Sequence, residues 1–221
     1  QQKRSGLGQW AQWLGLLGVS VSALAENPHR PFTRLPYLQG SSPTQIHVLW
    51  RTEGPIQPVV RWGTQPDRLD QTVPLAAIVT RASLGTNGQP MLPQWLSLRT
   101  PENLSLPKLH SAPIGTFQYE AAIQGLSPDT VYYYGVFNGS ERLTAESPEQ
   151  RFQTQPQPGT VRPYRFWVLG DSGTGREAQR AVHEGMRAWV KQDGRPLDFW
   201  IHVGDMAYGT GRDVEFQSRF F

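Results

Sequence analysis

Residues 116–137 of this 221-residue chain read TFQYEAAIQGLSPDTVYYYGVF. The first nine residues alternate, which places four apolar side chains on one face of a strand: Phe117, Tyr119, Ala121 and Ile123. A second β-rich run begins at Val131, after a turn that contains Gly, Ser and Pro. Two strand-like segments at such close spacing, without a helical period, favour a sandwich of short strands.

The same pattern continues toward the N-terminus of the chain. Ile46, Val48 and Trp50 share one face of residues 45–51, and residues 58–62 and 150–154 are further β-rich runs. Clusters of Gly, Pro, Asn and Ser bound these runs, and the whole chain holds 22 Gly and 19 Pro. Residues 26–157 are therefore predicted to form an all-β sandwich.

The turn at residues 126–132 reads LSPDTVY and resembles the corner of fibronectin type III domains. In that corner a tyrosine hydroxyl bonds back to the backbone of the preceding loop. We therefore expect a fibronectin type III-like sandwich, with a structural role for Tyr132 and no chemical one.

Two stretches of the chain lack a strand pattern. Residues 84–113 combine Gly, Pro and scattered apolar residues, as is typical of a long insertion between strands, and their role stays open. Residues 155–159 read QPQPG, a composition typical of a stiff linker. The predicted boundary therefore separates the sandwich from a second unit at residues 160–221.

The second unit shows the pattern of a β-α-β unit. Residues 164–169 read as a buried strand, residues 176–192 as a helix, and residues 197–203 as a second strand. Parallel strands follow from this order, and each strand runs directly into Gly-Asp, so that Asp171 and Asp205 should lie side by side at one sheet edge.

Asp171 and Asp205 would repel each other unless a positive charge lay between them. A pair of metal ions that share one oxygen ligand is the natural arrangement. Tyr208, three residues after Asp205, would add a phenolate oxygen. Such a hard anionic ligand suits trivalent iron better than zinc, because the Fe(III) charge is needed to lower the phenol pKa.

The motifs at residues 170–173 (GDSG) and 204–208 (GDMAY) resemble the first two metal motifs of purple acid phosphatases, within the calcineurin-like metallophosphoesterases. The preceding sandwich fits the same family through PYLQ at residues 36–39 and RWG at residues 61–63. The resemblance extends over residues 32–221. It implies a sandwich followed by the start of an α/β (αββα) metallophosphoesterase domain.

By this resemblance, Asp171 and Tyr208 would bind Fe(III), and Asp205 would bridge it to a divalent ion (Fe, Zn or Mn). The family also needs an Asn-His motif and further His ligands, which we expect in a part of the protein beyond this sequence. The chain is therefore expected to be an N-terminal fragment that is inactive by itself. None of its histidines is expected to be a ligand: His202 is expected in the core of a strand, His183 lies on the helix, and the remaining three belong to the sandwich region (His29, His47 and His110).

The implied activity of the complete protein is hydrolysis of phosphate monoesters, with a small phosphorylated substrate. Three alternatives concern single motifs: Asp171 as a helix N-cap, Gly173–Gly175 as a phosphate-cradling loop, and Tyr208 as an ordinary aromatic residue. In the last case the protein would be a metal-dependent phosphodiesterase without an iron-tyrosinate bond. A secreted cell-surface binding module is a further alternative, because a sandwich fold alone does not determine function.

The N-terminus resembles a signal peptide. Lys3 and Arg4 precede an apolar run at residues 13–21, and Ala23-Leu24-Ala25 forms a small-residue cleavage site. The run is shorter than the roughly 20 apolar residues that span a bilayer. Residues 1–25 are therefore predicted to be removed, which predicts a secreted or periplasmic protein with no membrane attachment after cleavage.

Composition limits the other classes of function. The formal net charge is +3, and it falls to +1 without Lys3 and Arg4; no run rich in Lys and Arg is present. Nucleic-acid binding is therefore not expected. The chain has no cysteine, which excludes disulfides, thiolate metal sites and a cysteine nucleophile. The oligomeric state stays open.

Overall fold

The computed structural model of the chain describes residues 32–83 and 112–221. The predicted signal peptide and nearly all of the predicted insertion lie outside the described residues. The strands and helices, in chain order, are β1 (Phe32–Gln39), β2 (Gln45–Glu53), β3 (Pro58–Gly63), β4 (Gln71–Thr72), β5 (Ile78–Ala82), β6 (Thr116–Gln124), β7 (Val131–Asn138), β8 (Glu141–Arg142), β9 (Arg151–Gln153), β10 (Phe166–Leu169), α1 (Glu177–Asp193), β11 (Phe199–His202) and α2 (Asp213–Arg219).

Two antiparallel sheets form the first part of the structure. One has the strand order β1-β2-β6-β5, and the other has the order β4-β3-β7-β8 with β9 alongside β7. Strands β2 and β6 pair without a register shift from Gln45↔Gln124 to Glu53↔Thr116. Their alternating apolar side chains therefore share one face and enter a single core, which confirms the predicted alternation; Ile46, Val48, Trp50, Phe117, Tyr119, Ala121 and Ile123 are all buried.

The predicted tyrosine corner is present between β6 and β7. The Tyr132 hydroxyl accepts a hydrogen bond of 2.9 Å from the backbone N–H of Ser127. Thr154, the residue after β9, donates its Oγ1 hydrogen to the carbonyl of Ser127 over 2.7 Å and holds the same loop from its other side. The Tyr132 ring stacks on Phe152 with centroids 5.6 Å apart. The corner thereby connects the turn to the core of the sandwich.

The chain continues from the sandwich into a β-α-β unit. Strands β10 and β11 pair in parallel from Phe166↔Phe199 to Leu169↔His202, and α1 connects them. Helix α1 ends where Gly194 adopts a left-handed φ of 76° and donates its N–H to Val190. No helix among the described residues is long and apolar enough to cross a membrane.

The predicted burial of the strand at residues 164–169 is wrong, and the second apolar strand is exposed as well. Phe166 is 51% exposed and Trp200 is 48% exposed, and no residue of α1 is buried. Two strands, one long helix and one helix of seven residues supply too few layers to cover both faces of a sheet. The apolar pattern predicted the two strands correctly, but it does not show whether other elements cover them.

Candidate metal centre

Asp171 and Asp205 follow the two parallel strands and adopt the same unusual backbone conformation. Their φ angles are 50° and 53°, in the left-handed region. Asp tolerates this region better than most residues, but the conformation still costs free energy. Two strained aspartates on neighbouring strand ends indicate a site at which carboxylate direction is important.

Backbone hydrogen bonds join the two loops that carry these aspartates. The N–H of Asp171 donates to the carbonyl of Gly204 over 3.1 Å, and the N–H of Gly173 donates to Asp205 over 3.0 Å. The N–H of Tyr208 in turn donates to Gly173 over 2.9 Å. Three successive bonds of this kind fix the loops relative to each other, so the three side chains have a defined arrangement.

Gly173 allows this close approach. A Cβ atom at Gly173 would lie 2.2 Å from the carbonyl carbon and oxygen of Met206 and 2.3 Å from the nitrogen of Ala207. These are backbone atoms, which cannot move aside as a flexible side chain can. A larger residue at position 173 would therefore separate the loops.

Tyr208 completes the group of oxygen donors. Its hydroxyl donates to Asp171 Oδ1 over 2.9 Å. Hydrogen bonds to Asp171 and then to Asp205 raise the pKa of Tyr208 above its ordinary value. The structure therefore brings together all three residues that the sequence analysis selected, and in this state the phenol keeps its proton.

Two alternative interpretations of the first loop do not agree with the geometry. The N-cap of α1 is Arg176, five residues after Asp171, so Asp171 does not cap the helix. Side chains already occupy two backbone amides that a phosphate-cradling loop would need. The N–H of Gly175 donates to Gln179 Oε1 over 2.7 Å, and that of Arg176 donates to Thr174 Oγ1 over 3.2 Å.

His202 has a different environment from the one predicted. It is half-buried at the end of β11, and its Nε2 lies 2.7 Å from Ser172 Oγ. The N–H of Gly204 donates to its Nδ1 over 3.3 Å. The tautomer with the proton on Nε2 fits both contacts, so the ring connects the two loops and is not a core residue. In the sequence, only its position three residues before Asp205 indicated that His202 lies near the site.

Neither of the other two described histidines forms a hydrogen bond with these loops. His47 Nδ1 forms a 2.8 Å contact with Glu120 Oε1 in the sandwich, and His183 is exposed on α1. His29 and His110 are outside the described residues. Within residues 32–83 and 112–221, no three His, Cys, Asp or Glu side chains form a cluster that could hold a metal ion. The grouping at the strand ends depends on the phenol of Tyr208 as its third donor.

The family model for "Purple acid Phosphatase, N-terminal domain" matches residues 36–154, more than half of the chain. The chain belongs to this family. The predicted resemblance to purple acid phosphatases is thereby confirmed for the sandwich. Purple acid phosphatases are hydrolases that use iron with a divalent metal. Oxygen donors are suitable ligands for such ions, and Asp171, Asp205 and Tyr208 supply them in this chain.

Known structures resemble the chain at low sequence identity. The purple acid phosphatase PPD1 from seeds of yellow lupin (Lupinus luteus) aligns with 78% of this chain at 21% identity and a TM-score of 0.50. A structure of PhoD aligns with 82% of the chain at 16% identity and a TM-score of 0.39, and supports no argument. The chain covers 29% of the length of each of these proteins. No curated protein matches the chain significantly.

Proposed function

We propose that this chain supplies the sandwich and the first metal-binding loops of an acid phosphatase that hydrolyses phosphate monoesters. The observation that carries the proposal is the convergence of Asp171, Asp205 and Tyr208 on two loops joined by backbone hydrogen bonds. Membership of the purple acid phosphatase family supports the same interpretation.

The donor set fits hard cations. Two carboxylates and a phenol offer only oxygen, which suits Fe(III) and its usual divalent partners. In the proposed centre Asp171 and Tyr208 would hold Fe(III), and Asp205 would be a ligand shared with a divalent ion, which would be Fe, Zn or Mn. When bound, these ions act as Lewis acids: they offset charge on the phosphoryl group and lower the pKa of water.

The protein's own contribution is to hold the donors in place before any ligand binds. The Tyr208 hydroxyl donates its hydrogen to Asp171 Oδ1 over 2.9 Å, and the two nearby carboxylates raise the pKa of the phenol. A cation would take the place of that proton, so loss of the proton accompanies binding. Asp171 and Asp205 act as ligands in this proposal and do not serve as proton donors or acceptors.

We further propose that the chain is inactive by itself. Three oxygen donors are too few to hold two cations, and the apolar side chains of β10 and β11 lack a covering layer among the described residues. The longer protein would supply the missing His and Asn ligands, a proton donor for the leaving alcohol, and the remaining layers. Release of phosphate by the purified 221-residue chain would contradict this proposal.

The proposed location of the protein is outside the cytoplasm, either secreted or periplasmic. It depends on residues 1–25 acting as a signal peptide. The proposed substrate is a small phosphorylated molecule, and neither a nucleic acid nor a membrane is proposed as a partner. The near balance of acidic and basic residues supports this, because a phosphate backbone needs a basic surface.

One observation favours a second candidate. The Tyr208 hydroxyl donates a hydrogen bond to Asp171, as a tyrosine that never binds a metal would also do. If Tyr208 has only this role, the protein is a phosphodiesterase that uses Mn or Zn without an iron-tyrosinate bond. The two candidates differ in substrate and in colour, since only an iron-phenolate centre absorbs visible light.

The experiment compares three forms of the longer protein: the native form, Asp205→Asn, and Asp67→Asn as a control on the exposed surface of the sandwich. Hydrolysis of a monoester and of a diester is measured for each. We expect preferential monoester hydrolysis that Asp205→Asn abolishes and Asp67→Asn leaves unchanged. A preference for the diester would support the second candidate. The absence of any hydrolysis by the native protein would favour a binding module.

A further inference from the structure

A buried cluster of charges joins the sandwich to the chain segment that follows Tyr208. The carboxylate of Asp213, at the start of α2, accepts two hydrogen bonds from Arg51 Nη1 of 2.6 and 2.7 Å. It accepts a third, of 3.2 Å, from Arg34 Nη2. All three side chains are at most 7% exposed. We name these residues, Arg34 of β1, Arg51 of β2 and Asp213, the arginine clamp.

Each arginine of the clamp has a second partner. Arg51 Nε donates to Gln118 of β6 over 2.9 Å, and Arg34 Nε donates to Gln217 of α2 over 2.7 Å. The Arg34 guanidinium also lies over the ring of Phe221, 4.1 Å from its centroid. Together with Gln118, the clamp thus connects three strands of one sheet to one helix of the second unit.

Asp213 is the only acidic member of the clamp. Burial and the charge of Arg51 both lower the pKa of Arg34, and the Asp213 carboxylate opposes them. Without that carboxylate two buried guanidinium groups would face each other. The loss of one partner from a buried ion pair is costly, because it leaves charge without compensation. The contact between α2 and the sandwich therefore depends strongly on Asp213.

Helix α2 is connected in turn to the Tyr208 loop. Glu215 Oε2 accepts hydrogen bonds from the N–H groups of Thr210, over 3.0 Å, and Arg212, over 2.8 Å. Arg219 Nη1 donates to the carbonyl oxygen of Tyr208 itself. The loop at residues 208–212 is thus fixed to both ends of α2, and α2 is fixed to the sandwich by the clamp.

We infer that the sandwich positions Tyr208, through the arginine clamp and α2, for its role at the strand-end site. Arg34, Arg51 and Asp213 are positioning residues in this inference, because none of them contacts the three oxygen donors. The importance for catalysis rests on the proposed function. The physical connection between the sandwich and Tyr208 does not rest on the proposed function, and it can be tested on the metal-free chain.

The test places 3-fluorotyrosine at position 208 of the 221-residue chain and records its ¹⁹F NMR resonance. Asp213→Asn and Arg51→Met break the clamp, and their controls are Asp67→Asn and Arg68→Met, which alter exposed residues of the sandwich. We expect the resonance to shift toward that of free 3-fluorotyrosine in both clamp variants and to stay in place in both controls. An unchanged resonance in clamp variants that remain folded would overturn the inference.

Hydrogen exchange measures the same connection along the backbone. We expect the amides of residues 208–212 to exchange about tenfold faster or more after Asp213→Asn, while the β2 and β6 amides keep their rates. Equal acceleration in all of these segments would indicate general destabilisation and would contradict a specific positioning role.

Two milder variants cover the case in which the buried changes unfold the sandwich, which loss of the near-UV circular dichroism of the chain would report. Gln217→Ala removes one acceptor of Arg34 from the helix side, and Arg51→Lys keeps the charge but loses the fork geometry. Both should give a smaller shift of the ¹⁹F resonance in the same direction, and no shift in either would refute the inference. A shifted resonance together with a phosphatase-inactive longer protein would keep the inference and refute the proposed function.

Discussion

At the scale of single residues, two aspartates, one tyrosine and one glycine determine the candidate site. Asp171 and Asp205 accept a left-handed backbone conformation, and Gly173 lets the second loop approach within van der Waals distance. The sequence predicted that the two aspartates would be neighbours because each follows a parallel strand. It could not predict the strain, since φ depends on the hydrogen bonds between the loops.

Gly173→Ala should separate the two loops. The added Cβ would overlap backbone atoms of Met206 and Ala207, so we expect a loss of about 1–3 kcal/mol in the free energy of unfolding of the second unit. Urea unfolding monitored by the NMR amide signals of residues 166–219 gives the value. Gly185→Ala is the matched control, because its Cβ would meet nothing within 4 Å and a helix interior gains about 0.5–1 kcal/mol from alanine. Equal effects of the two changes would disprove the steric argument.

Glu215 should make the Tyr208 loop sensitive to acid. Hydrogen bonds from the backbone of Arg212, and then of Thr210, lower its pKa from the ordinary 4.5 to about 2. The stabilisation is therefore fully present above about pH 4.5 and is lost as the pH falls toward 2. Glu215→Gln should lower the free energy of unfolding at neutral pH, and the difference from the native chain should shrink through this acid range. A difference that stays constant with pH would contradict the assignment.

At the scale of secondary-structure elements, the alternation of apolar residues predicted where the strands lie, but it did not predict which of them are covered by other elements. The alternation in β2 and β6 predicted both the strands and their buried faces, because the paired register puts both sets of apolar residues on one side. In β10 and β11 the apolar run predicted the strands but not their exposure. Burial is a property of the layers around a strand, and no local pattern encodes it.

Tyr132→Phe should destabilise the connection between β6 and β7. Removal of the hydroxyl leaves the N–H of Ser127 without its acceptor, at an expected cost of about 1–3 kcal/mol. Chemical denaturation of the purified chain measures this cost. Tyr133→Phe is the neighbouring control on the opposite face of the strand, where we expect a change near zero. The corner would lack its assigned role if both substitutions had the same effect.

At the scale of the whole molecule, the hydrophobic core cluster of the described residues lies in the sandwich. Its buried members run from Ile46 to Phe152. The family, the sandwich and the proximity of Asp171 to Tyr208 could be anticipated from motifs and alternation. The arginine clamp could not, because Arg34 and Asp213 are 179 residues apart and neither stands in a recognisable pattern. Such long-range contacts depend on how the two units pack together.

A chain reduced to residues 32–157 should therefore fold independently. It keeps the whole core, so the near-UV circular dichroism of the stacked Trp50 and Tyr119 rings should persist, with a single cooperative thermal transition. It should be less stable than the 221-residue chain, because the reduction leaves Arg34 and Arg51 without Asp213. Loss of cooperative unfolding in the shortened chain would show that the second unit is required for the core.

We propose that the strand-end oxygens of Asp171, Asp205 and Tyr208 bind a shared metal cluster. The most direct test is the visible absorption spectrum of the longer protein loaded with iron, compared with that of Tyr208→Phe at equal iron content. We predict a broad phenolate-to-iron band that gives a violet colour and is absent from Tyr208→Phe. A band that persists in Tyr208→Phe, or a colourless native protein that binds zinc in place of iron, would contradict the claim.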